Sequence, residues 1–208
     1  MKVLALSDEV VDWIYSPAIV ERCAGVELVI GCGDLPMHYM EYVTSMLNVP
    51  SCYVRGNHDL YEIGESGVLK TEPQGWIDLD LRRKRIGSIT LAGLQGCVRY
   101  KPHAPYQYSQ RMQRLRALWL LRTMMLPLLK GERGVDVLVT HAPPFGIHDG
   151  SDLAHTGFVV YEWLIRVARP RYLLHGHQHR NYAPRQSGET RVNDTLVVNV
   201  HPYRLLEI

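Results

Sequence analysis

The sequence predicts an α/β fold built on a mixed sheet or a pair of sheets, and three observations predict it. Short runs rich in Val, Ile and Leu recur without polar alternation, as strands covered on both faces do. Segments with helical spacing lie between them. The stretch "WIDLDLRRKRIGSITLAGL" reads as two strands around a charged turn, which makes part of the sheet antiparallel.

The strand-like runs are, in order, "KVLALS", "VELVIGCG", "PSCYVRG", "SITLAGL", "VDVLVTH", "RYLLHG" and "TLVVNVH". Helical patterns cover residues 16–24, 36–47, 109–126 and 157–168. The third is expected to stop near Pro127, because proline lacks a donor and clashes with the preceding turn. Arg82 to Arg85 reads as a solvated turn, and the arginines of the third helix as its wet face. "APPFGIHDGSD" and "YKPHAPYQ" are loops of a length that often carries function.

The 208 residues fit one domain spanning 1–208. A net charge of +2 gives no strong basic field to attract nucleic acid or an anionic membrane. No run approaches the ~20 apolar residues of a membrane span, and the start lacks the pattern of a secretion signal. The expectation is a cytoplasmic protein with no membrane partner; the charge argues against a nucleic-acid partner and leaves one open. Cys23, Cys32, Cys52 and Cys97 have no CxxC spacing and read as buried free thiols.

Five strand-like runs end in groups that can bind metal: Asp8; Asp34; Asn57, His58 and Asp59; His141; and His177 with His179. Each group has an ordinary reading as well. Gly-Asn makes a good turn, an Asp can cap the next helix, and a lone His is often structural. The pair His177-x-His179 is better, because residues i and i+2 of extended backbone share a face. In open α/β sheets, sites form beyond the carboxyl ends of strands. Five such ends carrying Asp, Asp, Asn/His, His and His/His are hard to explain as separate accidents.

The ordered set "SD", "GD", "GNHD", "TH" and "GHQH" resembles the calcineurin-like metallophosphoesterase superfamily over Asp8 to His179. The resemblance implies a four-layer α/β/β/α sandwich with a two-metal site at the strand ends. It implies Asp8, Asp34 and His179 around one divalent ion and Asp34, Asn57, His141 and His177 around the other. Asp34 bridges the two, His58 sits beside them as a catalytic acid, and Asp59 orients His58. Carboxylate, amide oxygen and imidazole suit Mn²⁺, Fe²⁺ or Zn²⁺. Two such ions acidify a shared water, whose hydroxide attacks a phosphate ester.

The sequence departs from the pattern at the first motif. The family has Asp-x-His, whereas this chain has Asp8-Glu9-Val10, and valine cannot ligate. Glu9 should point away from Asp8 if the backbone is extended. The first ion is therefore expected to bind more weakly.

Beyond the ligands, Arg99 is placed to fork onto a phosphate, with Tyr100, His103 and His148 as further substrate contacts. Asp149, Asp152 and His155 share the loop of His148 and can reach substrate or replace the missing ligand. His175 reads as a buried, hydrogen-bonded strand residue. The function expected is hydrolysis of a phosphodiester or phosphomonoester. An open site without a cap domain favours the diester. The alternatives are a weakly active metal-binding scaffold and a nuclease.

Overall fold

The computed structural model describes residues 1–59, 62–63, 69–179 and 188–208. Its first half runs β1 (Lys2–Leu6), α1 (Ala18–Arg22), β2 (Leu28–Gly31), α2 (Met37–Leu47), β3 (Ser51–Tyr53), β4 (Glu62–Ile63), β5 (Leu69–Lys70), β6 (Trp76–Asp78), β7 (Arg83–Ile86) and β8 (Ile89–Leu94). Its second runs β9 (Cys97–Val98), β10 (Gln107–Tyr108), α3 (Gln110–Arg122), α4 (Met125–Leu129), β11 (Val137–Thr140), α5 (Val159–Ala168), β12 (Tyr172–His175), β13 (Glu189–Val192), β14 (Thr195–Asn199) and β15 (Tyr203–Glu207).

Two large sheets form, in the orders β15-β1-β2-β3-β6 and β13-β14-β12-β11-β8-β7. The inner strands of both are parallel; the edge strands β15, β13 and β7 are antiparallel, and the fourth edge strand, β6, runs parallel to β3. The inner strands are mostly apolar because each face is covered. In β1, Val3 and Ala5 join the cluster between the sheets, with Leu91, Val139 and Leu174 opposite. Leu4 and Leu6 face outward, onto Ile19 of α1 and Tyr39 of α2. On the far side Leu138 and Leu173 meet Ala117 and Leu120 of α3 and Leu164 of α5. This is the expected four-layer α/β/β/α sandwich. All four cysteines are buried free thiols.

Two sequence expectations are corrected. Arg83–Ile86 is a strand paired antiparallel with β8, so the turn is Gly87-Ser88 and not the charged run. At the sheet's edge β7 leaves Lys84 and Arg85 in water, where long cations are tolerated and guard against edge pairing. Its partner in the expected hairpin, Trp76–Asp78, instead joins β3 in the other sheet. The third helix stops at Arg122, before Pro127, and Pro127 enters the first turn of α4. A proline there removes no hydrogen bond the helix would have made.

Candidate metal centre

The parallel strands of both sheets exit on one rim, and the turns that follow aim polar side chains inward. Asp8, Asp34 and His177 follow β1, β2 and β12 with φ of 65°, 55° and 65°. This left-handed conformation is uncommon for residues with a Cβ and reverses the chain within a few residues of the strand. The motif glycines permit the crowding that results. A Cβ on Gly33 would lie 2.6 Å from His141 Nδ1, and one on Gly56 would lie 2.0 Å from Asp34 Oδ1.

One half of the site is closed. The ligand atoms of Asp34, His141 and His177 lie within 4.8 Å of one another. His141 is fully buried, and its Nδ1–H donates to the Cys32 carbonyl at 2.8 Å. Its Nε2 therefore faces Asp34 Oδ2 at 3.3 Å and Asn57 Oδ1 at 3.1 Å. Asn57 is turned this way because its Nδ2 donates to the Tyr100 hydroxyl at 3.1 Å. Asp34 Oδ1 accepts from the His58 amide at 2.7 Å. His177 Nε2–H donates to the Ala154 carbonyl at 2.7 Å, which leaves Nδ1 with its lone pair.

The electrostatics ask for a cation. Burial alone would lower the His141 pKa, but the Asp34 and Asp8 carboxylates outweigh it and raise it. Burial would raise Asp34, and His141 beside it reverses the sign. Burial, reinforced by His141, holds His177 neutral. A carboxylate, an amide oxygen and two imidazoles with fixed tautomers fit a borderline divalent ion.

The other half is open. The Asp8 side chain is buried; its Oδ2 accepts from the Ser7 hydroxyl and, at 2.9 Å, from the His177 amide. Its Oδ1 faces His179 Nε2 at 4.0 Å, and the His179 side chain is 43% exposed. His179 stacks on His201, with ring centroids 4.4 Å apart. Glu9 reaches His201 Nε2 at 3.5 Å. Val10 rests against the apolar cluster of Leu4, Leu6 and Ile14. His201 is missing from the residues singled out by sequence, although "TLVVNVH" carries the same signal, a strand that ends in histidine on this rim.

His58 is exposed, and its ring makes no hydrogen bond among the described residues. The expectation that Asp59 orients it is corrected. Asp59 Oδ2 accepts from the amides of Gly56 at 2.6 Å and Asp34 at 3.1 Å, and Oδ1 from Leu35 at 3.0 Å. The carboxylate is spent on backbone, stapling the loop after β2 to the loop after β3. Burial and the Asp34 charge push its pKa up to about 6. Between these loops lies a cavity of about 230 Å³ lined by Leu35, Met37, Met40, Tyr53, Arg55 and His58.

The expected substrate contacts divide. Tyr100 touches the site through Asn57, and together with Arg99, Lys101 and His103 it lines an open pocket of about 490 Å³. The Arg99 guanidinium donates to the Gln107 carbonyl at 3.2 Å. His148 has no nitrogen to offer, which corrects that expectation. His175 Nδ1–H donates to the Gly176 carbonyl at 2.9 Å, so its Nε2 accepts from His148 Nδ1–H at 2.9 Å. His148 Nε2 then accepts from the Thr190 hydroxyl at 2.9 Å. Burial lowers the pKa of both rings, His175 to about 3. His155 pairs with Asp152 at 2.7 Å and lies 5.5 Å from the His177 ring.

The sequence pattern of the calcineurin-like phosphoesterase family matches residues 1–181. The crystal structure of TT1561 of Thermus thermophilus superimposes with a TM-score of 0.60 at 15% identity, covering 96% of this chain and 88% of that one. A second solved structure gives 0.61 at 14% identity, covering 96% and 90%. The 5'-nucleotidase precursor from the same organism gives 0.50 at 13% identity, covering 96% of this chain and 48% of its own. At these identities the likeness establishes the fold. No curated protein sequence matches the chain.

Proposed function

The chain belongs to the calcineurin-like phosphoesterase family, and on that premise we propose that it hydrolyses phosphate esters at a two-metal centre, a diester by preference. The observation that carries this reading is the convergence of Asp34, Asn57, His141 and His177 from both sheets, each held by a further hydrogen bond.

Asp34, Asn57, His141 and His177 would hold one divalent ion, and Asp8, Asp34 and His179 the other. When bound, such ions acidify water and offset the charge of the phosphate. The chain's own groups do the rest. The carbonyls of Cys32 and Ala154 set the two imidazole tautomers. His58 is free to swing its ring and is the group that gives a proton to the departing oxygen. The departing group then occupies the cavity that His58 lines. Its volume falls below the ~300–1,000 Å³ of a pocket for a whole drug-sized ligand, so it suits a fragment. Leu35, Met37, Met40 and Tyr53 make that fragment apolar or aromatic. Arg99, Lys101 and His103 offer positive charge to the other side of a diester.

A weakly active scaffold is the second reading, and Val10 is what favours it, because its side chain is given to an apolar cluster and not to the centre. Metal content and Mn²⁺-dependent hydrolysis of bis-p-nitrophenyl and p-nitrophenyl phosphate separate the two. Turnover of the diester, reduced roughly 10²-fold or more in His58→Ala, is the expected result. Absence of both bound metal and turnover would overturn the enzyme reading.

A further inference from the structure

Helices α3 and α4 carry a surface that this chemistry does not use. From Leu81 to Gly131 the chain contains no Asp or Glu, yet it holds 11 of the 23 Lys and Arg residues. A net charge of +2 conceals this segregation. On the outer side of the two helices Arg111, Arg114, Arg122 and Lys130 are exposed. Bulky apolar side chains stand between them: Leu115 is 59% exposed, Trp119 57%, Leu126 67% and Leu129 78%. Arg122 lies over the Trp119 ring, 4.9 Å from its centroid. The strip continues into a groove of about 600 Å³, where Arg111, Arg114 and Leu118 face Val159 and Trp163 of α5.

We propose that this face binds the surface of an anionic phospholipid bilayer. A second copy of the chain fits poorly. Across a twofold axis the strip meets itself, and cations face cations with no carboxylate in the strip to answer them. A nucleic acid would use the arginines but set Leu115, Trp119, Leu126 and Leu129 against phosphate and sugar. An anionic bilayer uses both halves. The arginines meet phosphate headgroups, while leucine and tryptophan enter the boundary with the acyl chains. The most exposed leucines lie on the short helix α4, which suits shallow insertion. No helix among the described residues is long and apolar enough to cross a membrane, so the contact is peripheral.

The test is co-sedimentation of the full chain with mixed phosphatidylglycerol–phosphatidylcholine vesicles and with pure phosphatidylcholine vesicles. Binding to the first alone is expected, weakening about tenfold as salt shortens the reach of the charges. Leu126→Ser with Leu129→Ser, and separately Arg114→Glu with Arg122→Glu, should each lower vesicle binding about tenfold or more. Both pairs are exposed, so circular dichroism and phosphatase turnover should match the parent chain. Failure to bind the anionic vesicles would overturn the proposal, as would binding that both double variants retain. Self-association abolished by the serine pair would assign the face to a second copy instead.

Discussion

The two halves of the candidate centre draw on the same kinds of side chain and differ in enclosure. His141 is fully buried with both ring nitrogens committed, and Asn57 and His177 are each turned by a hydrogen bond of their own. Across Asp34, His179 is 43% exposed, stands 4.0 Å from Asp8 and leans on the His201 ring. The contrast teaches that affinity in such a centre depends on how far ligands are fixed before the ion arrives. The closed set surrenders little freedom on binding. On the two-metal reading proposed above, the open set must be ordered by the ion itself.

The largest effect should come from the residue the halves share. Asp34→Ala should empty both of metal and lower kcat/KM for bis-p-nitrophenyl phosphate by roughly 10³-fold. Elemental analysis that still finds one equivalent of metal would break the shared role. Next, His141→Ala should destabilise the metal-free chain by about 1–3 kcal/mol, because buried oxygens lose their partner. His179→Ala should change the stability by less than about 0.5 kcal/mol, since an exposed ring gives up little. Equal losses in urea would erase the distinction. Third, a chelator titrated against the loaded protein should remove metal in two steps, the open half first and at roughly tenfold lower chelator. A single step would show the halves to be equivalent. The smallest effect is the sharpest test. Val10→His should tighten the open half about tenfold by calorimetry, while the loss of an apolar contact costs the metal-free chain up to about 1 kcal/mol. Unchanged affinity would mean the new imidazole stays in the apolar cluster.

What the sequence makes legible follows strand ends. Apolar runs buried on both faces announce parallel strands, and the residues just beyond them are the ones gathered here at one rim. Asp8, Asp34, Asn57, His141, His177 and His179 are readable for that reason. The partners that hold them are not. Adjacency in the chain assigns Asp59 to His58, yet its oxygens also serve amides of a different loop, a contact between segments far apart in the chain. His148 lies in a loop that reads as solvent-facing, and the bond to His175 exists only once β12 and that loop are packed. The charged strand Arg83–Ile86 reads as a turn because edge strands lack the apolar signature that marks inner ones. The net charge misleads in a different way, being a sum over a surface whose signs are segregated.

The Asp59 staple has a kinetic corollary. Three amide protons, those of Asp34, Leu35 and Gly56, end on one carboxylate although they come from two loops. Their exchange with deuterium is then gated by a single event, the withdrawal of that carboxylate. The three should share one protection factor and one response to denaturant. The two loops that flank the cavity beside His58 are therefore coupled through one carboxylate.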